Sequence, residues 1–239
     1  MIFFRSLAFN IALFGWSSFA LIAFVPLLIA SRSTLLWAVR IWIHNIFWLQ
    51  RHILSLDFEF RGVENLPEGS FIIAAAHQSA WDTICFFSVI RDPAFVLKKE
   101  LYSVPMFAPY ARKLGMIAID RSSGASGARH MIRSVSAELG TGRPVVIFPG
   151  GTRSAPDEIV PLKSGISVLY RRCGVPVIPV SLNSGYFWGR RSFVKKPGTI
   201  IVEFHAPIAP GQDATVFDEL LSSGIHDGNR TLLEEASIP

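Results

Sequence analysis

His77 and Asp82 are the two side chains in this 239-residue chain whose types and spacing best suit chemistry. An imidazole with an ordinary pKa of about 6.5 accepts a proton at neutral pH. A carboxylate on its far ring nitrogen would fix the tautomer and steady the imidazolium that forms. Positions five apart do not share a helix face. The pair therefore meets only if His77 precedes a helix and folds back over its N-terminus. Taken alone, an H-x-x-x-x-D match reads better as a capping histidine and an aspartate stabilised by the helix dipole.

Two further clusters carry charge at turns. In Phe148-Pro149-Gly150-Gly151-Thr152-Arg153-Ser154, adjacent glycines let backbone N–H groups approach an anion. Thr152 offers a hydroxyl and Arg153 a planar fork suited to phosphate. The plainer reading is a surface turn with an exposed arginine. Gly115 to Arg121 ends in an Asp120-Arg121 pair, which by itself reads as a structural ion pair. No G-x-S-x-G elbow surrounds Ser79 or any other serine, and there is no H-E-x-x-H, Walker loop or G-x-G-x-x-G. Serine-hydrolase, zinc and nucleotide chemistry thus lack their usual motifs.

The elements that must position these residues alternate. Phe58 and Phe60 between charged neighbours mark a half-buried strand over residues 57–61. Apolar runs at 71–75, 95–97, 116–119, 145–148, 177–182 and 199–204 read as further strands. Helices are expected over 79–89, 106–114, 128–139 (with Gly140 as its stop) and 164–172 (closed by Gly174). Residues 122–127 read as a loop, and two weak helices over 216–221 and 229–235 finish the chain. Strands alternating with helices imply an α/β fold with a mostly parallel sheet flanked by helices. In such sheets, sites form at the C-terminal ends of strands, where His77 and both glycine-bearing clusters fall.

The N-terminus differs from the body. Leu7 to Ala30 carries no charge, with Asn10 its one strongly polar residue. It is long enough to span a bilayer, which takes about 20 helical residues, and too long for a typical signal-peptide core. A second helix, capped by Ser33 or Thr34, is expected to run to about Leu54, with Trp37, Trp42 and Trp48 and a stripe of Arg40, His44 and Arg51. Tryptophans beside cations suit a membrane interface. Residues 1–55 therefore read as membrane-associated helices forming a hydrophobic hairpin, and 56–239 as the α/β domain. Arg32, Arg40 and Arg51 outnumber Arg5, which predicts a cytoplasmic location for that domain.

Apolar residues make up 50% of the chain and charged ones only 17%, with a net charge of +5. The cations are spread rather than striped with exposed aromatics, which argues against nucleic-acid binding. Arg171, Arg172, Arg190, Arg191, Lys195 and Lys196 could face an acidic protein, a phosphorylated cofactor or anionic lipid. Cys85 and Cys173 have no metal-type spacing and read as two reduced thiols in buried helices.

Together the clusters resemble the PlsC-like 1-acylglycerol-3-phosphate acyltransferase family over most of residues 70–182. His77 and Asp82 match its H-x-x-x-x-D signature and Gly115–Arg121 its second block. Phe148–Ser154 is similar to its F-P-E-G-T-R-S block, and Val175–Val180 to its fourth block. Lys98-Lys99-Glu100-Leu101 resembles its K-x-E-L segment, and Lys163-Ser164-Gly165 its K-x-G. The resemblance implies the glycerolipid acyltransferase fold and a general-base His77 held by Asp82. It also implies an acceptor phosphate held by Lys98, Arg121, Gly150, Gly151, Thr152 and Arg153. The acyl donor would be a thioester of coenzyme A or acyl carrier protein, a co-substrate rather than a cofactor, and the partners membrane lipids. Lysophosphatidate is the expected acceptor; another lysolipid, or lipid binding without catalysis, are the rivals.

Two departures stand out: Ala76 replaces the family's usual asparagine, and Gly150 its glutamate. The second leaves Arg121, Arg153 or Lys98 short of an acidic partner. A different headgroup, a substitute carboxylate such as Glu100 or Asp120, or a weakened enzyme would each account for it.

Overall fold

Short β-branched and aromatic runs supply seven strands, because such side chains pack well on a pleated, buried surface. In the computed structural model, which describes residues 1–237, these are β1 (Leu56–Arg61), β2 (Ile72–Ala75), β3 (Ala94–Lys98), β4 (Ile117–Ile119), β5 (Val145–Ile147), β6 (Val177–Leu182) and β7 (Gly198–Phe204). They form one sheet in the order β1-β7-β6-β2-β5-β3-β4. Every pairing is parallel except β6 with β7. The sheet is thus mostly parallel and flanked by helices, as the alternation predicts. All four residues of β2 and all six of β6 are buried, as expected for strands covered on both faces.

The helices of the body are α3 (Asp82–Val89), α4 (Phe107–Lys113), α5 (Gly124–Gly140), α6 (Gly165–Cys173), the single turn α7 (Ser184–Phe187) and α8 (Ala214–Ser237). Three differ from expectation. α3 begins at Asp82 rather than Ser79, which leaves His77 outside the helix. α5 absorbs most of the expected 122–127 loop and includes Gly140; the residue that turns the chain is Gly142, at φ 85°. The two weak C-terminal helices are one continuous helix. Its glycines are there for contact: a Cβ on Gly224 would lie 2.8 Å from Pro179, and one on Gly228 would lie 2.5 Å from the Ser181 hydroxyl. Glycine lets α8 approach β6 this closely, which sequence propensity alone reads as helix breaking. Both cysteines are free, Cys85 buried and Cys173 half-buried at the end of α6.

The N-terminal hairpin consists of α1 (Ile2–Ala23) and α2 (Arg32–Leu49), the latter extended to Leu54 by a wider turn. Ser31, not Ser33 or Thr34, caps α2, accepting from the Thr34 N–H. α1 is long and apolar enough to cross a membrane. Phe4, Leu7, Ile11 and Phe14 are exposed along it, at the three- and four-residue steps of one helix face. Its polar residues serve a different purpose. Asn10 accepts from the Lys195 amine at 2.7 Å, and the Ser6 hydroxyl accepts from the Lys195 N–H. Lys195 is therefore buried against α1 rather than presented to a partner, and its pKa is lowered by that desolvation. Trp42 locks the hairpin, donating to Ser17 while its carbonyl accepts from Trp16. Arg40 turns inward, donating to the carbonyls of Phe87, Ile90 and Arg91 at the end of α3.

Overpacking a well-filled contact costs about 1–3 kcal/mol. Gly228→Leu is expected to lower stability by that order, whereas Gly140→Ala, with open space around it, should raise it by up to about 1 kcal/mol. Thermal denaturation of the two variants checks both signs.

Candidate active site

Parallel pairing brings the C-terminal ends of β2, β3, β4, β5 and β6 to one edge of the sheet. His77 follows β2, Lys98 ends β3, Arg121 follows β4 and Phe148–Ser154 follows β5. The connection after β2 goes to one side and β6 lies on the other, which is where open α/β sheets bind ligands.

His77 and Asp82 meet. His77 Nδ1 lies 3.0 Å from Asp82 Oδ2. Because Asp82 opens α3, the imidazole reaches back over the helix start as their spacing requires. Asp82 is fully buried, and the His77 side chain is 16% exposed. A buried carboxylate loses several kcal/mol of hydration. Four donors offset that cost: His77 Nδ1, the backbone N–H groups of Gln78 (2.7 Å) and Ser79 (2.8 Å), and the Ser184 hydroxyl (2.5 Å). Three of them converge on Oδ2 and the serine on Oδ1. With Asp82 Oδ2 as the acceptor, the proton of this hydrogen bond sits on His77 Nδ1, which leaves Nε2 as an acceptor with no protein partner among the described residues. Phe148 stacks on the imidazole with ring centroids 4.1 Å apart, and the His77 carbonyl accepts from the Ser154 N–H at 2.9 Å. The third cluster is thereby tied to the histidine.

Ser184, at the end of β6, gave no signal in the sequence: it lies 102 residues from Asp82 and carries no motif. Gln78 is a second such residue. Its amide donates to the Leu182 carbonyl and accepts from the Gly185 N–H, holding the β6 turn against the His77 loop. Ser79 is buried, and its hydroxyl oxygen accepts from the Trp81 N–H, so it is not presented as a nucleophile.

The cationic part of the edge is arranged differently from the sequence reading. Asp120 pairs with Lys99, not with Arg121, and also accepts from the Ser122 N–H and hydroxyl. Lys99 first and Ser122 second hold its pKa well below the usual carboxylate range. Its carboxylate oxygens are thus occupied by Lys99 and Ser122. Arg121 instead donates to the Gly151 carbonyl; burial pushes its pKa down, and the charge of Glu100 opposes that only in part. Gly151 adopts φ 76°, and a Cβ there would lie 2.9 Å from Lys163 Cε and 3.3 Å from Arg121 Nη1. Lys163 therefore joins Arg121 at this turn, a placement the K-x-G spacing did not reveal. Arg153 is half-buried, with its carbonyl accepting from Arg190. Lys98 and Thr152 are exposed. A Cβ at Gly150 would meet Val160 at 3.1 Å.

Sheet, imidazole and cations together describe an α/β protein with a carboxylate-held histidine beside a turn flanked by Arg121 and Lys163. The acyltransferase family model matches residues 57–183, just over half the chain. The chain belongs to this acyltransferase family and is an acyltransferase. A 1-acyl-sn-glycerol-3-phosphate acyltransferase of Pseudomonas aeruginosa is 32% identical over 202 residues, covering 84% of this chain and 77% of the relative. Its namesake in Saccharomyces cerevisiae is 26% identical over 209 residues, covering 86% and 68%. The crystal structure of the LPA acyltransferase PlsC from Thermotoga maritima shares the fold, with a TM-score of 0.75, 23% identity and 98% of each chain covered. That match extends to the N-terminal helices.

A hydrogen bond to a charged group contributes about 1.5–3 kcal/mol. Ser184→Ala is expected to lower stability by that order and to reduce kcat with little change in KM, because the His77–Asp82 pair loses a brace rather than a substrate contact. Denaturation and steady-state kinetics check the two effects; an unchanged kcat would show that Ser184 serves stability alone.

Proposed function

We propose that this enzyme moves a fatty acyl group from a thioester to the free hydroxyl of lysophosphatidate, giving phosphatidate. The observation that carries the reading is the His77 imidazole, held at Nδ1 by a buried carboxylate with Nε2 left as an acceptor. The names of its relatives support the acceptor.

In this mechanism the acceptor hydroxyl gives its proton to Nε2 as its oxygen attacks the thioester carbonyl. Asp82 steadies the imidazolium. The carbon–sulfur bond then breaks, and the departing thiolate takes the proton back. The acceptor alcohol is itself the nucleophile, so no acyl-enzyme forms. Arg153, Lys98 and the Gly150-Gly151-Thr152 turn bind the acceptor phosphate, with Arg121 bracing the turn. The donor is acyl-coenzyme A or acyl carrier protein. The exposed apolar face of α1 enters the membrane, with the α/β domain on the cytoplasmic side.

One observation favours a second reading, the same chemistry on another lysolipid. Val160 occupies the space into which a side chain at position 150 would grow, so the acceptor site has lost a carboxylate and has its own shape.

General-base help contributes about 10²–10⁴-fold. In a thiol-release assay with an acyl thioester, His77→Ala should lower kcat by that order while lysophosphatidate binding persists. Turnover that survives the substitution would exclude the base. Across a panel of lysophospholipids and lyso-aminolipids, lysophosphatidate should give the highest kcat/KM, and any faster acceptor replaces it in this reading.

A further inference from the structure

A cleft of about 740 Å³ lies between α2, the end of α3 and β1, and the proposed acyl transfer does not use it. Its floor is apolar. Phe47 and Phe58 lie with ring centroids 4.6 Å apart, and both pack against Trp81, the residue before Asp82. Its rim carries three arginines, Arg40, Arg51 and Arg91, beside His44 and His52, with Asp57 as the one carboxylate. Asp57 is already paired with Arg51 at 3.0 Å. Arg40 neutralises the negative end of α3 through the carbonyls of Phe87, Ile90 and Arg91. The His52 ring stacks on Trp48 and donates from Nδ1 to the Trp48 carbonyl. Among the described residues the exposed His44 and Arg91 side chains have no hydrogen-bond partner.

Cations over an aromatic floor fit a ligand with an anionic head and an apolar body. Trp37 and Trp48 are both exposed on α2, and tryptophan in such positions sits at headgroup depth. We propose that the cleft binds an anionic glycerophospholipid of the bilayer. Its phosphate lies among Arg91, His44 and Arg51, and the start of one acyl chain lies over Phe47 and Phe58. The proposal rests on the reading that the N-terminal helices enter the membrane. The lipid would touch the aromatic layer that carries Trp81, whose indole donates to Gln50 of the α2 extension, and so would brace the helix that begins at Asp82.

The test uses the full chain in detergent, with phosphatidylglycerol and phosphatidylcholine adducts measured by native mass spectrometry. Each charge near an anionic lipid surface changes binding appreciably, so reversing Arg91 and adding a carboxylate at position 44 should weaken it about tenfold or more. Wild type and Arg153→Glu are expected to retain one phosphatidylglycerol. The His44→Glu, Arg91→Glu double variant should bind it at least about tenfold more weakly with an unchanged melting temperature. Arg91→Gln provides a milder version. Equal retention in the double variant overturns the proposal, as does loss confined to Arg153→Glu, which would place the lipid at the acceptor site. Flotation on phosphatidylcholine vesicles separates the underlying reading: if wild type does not float, membrane entry itself fails.

Discussion

A fully buried carboxylate without a cationic partner is unstable unless donors replace its lost water. Asp82 solves this with four: two backbone N–H groups, a serine hydroxyl and an imidazole. Each donor comes with a structural requirement. The N–H groups of Gln78 and Ser79 point inward only if the chain turns sharply between β2 and α3. Ser184 arrives only if β6 lies beside β2. The imidazole completes the set from outside the helix, and its orientation follows from satisfying the aspartate. The unpartnered Nε2 is thus a by-product of burying Asp82 at the edge of a parallel sheet.

The same economy governs the cationic turn. Lys99 and Ser122 hold Asp120, which frees Arg121 to reach the Gly151 carbonyl beside Lys163. With Gly150 in place of an acidic residue, the turn carries positive charge that no carboxylate of its own offsets. That suits an anionic acceptor and explains why the departure from the family's block does not break the local fold: Val160 fills the space instead.

The hairpin is bound to the body through specific polar contacts rather than tethered by a linker. Asn10 and Ser6 hold Lys195, Arg32 pairs with Asp92 at 2.7 Å, and Gln50 accepts from Trp81. The loop that carries Lys195 begins beside Ser184. The exposed apolar face of α1 and the brace on Asp82 therefore belong to one connected set of contacts.

Local pattern was enough to read the strands, the apolar N-terminal helix and the H-x-x-x-x-D pair, because periodicity and turn residues act over a few positions. Even the condition on that pair, a histidine ahead of the helix, follows from helix geometry alone. Tertiary structure decided the rest. Ser184 and Lys163 joined the site through β6 and the α6 turn, at sequence separations no local rule spans. Lys99, not Arg121, became the partner of Asp120, because parallel strands set β3 and β4 ends side by side. Gly224 and Gly228 stayed inside a helix since close packing on β6 outweighs their poor propensity. Lys195 and Arg40, each legible only as a surface cation, turned inward onto backbone carbonyls and an amide oxygen that only the folded chain could bring to them.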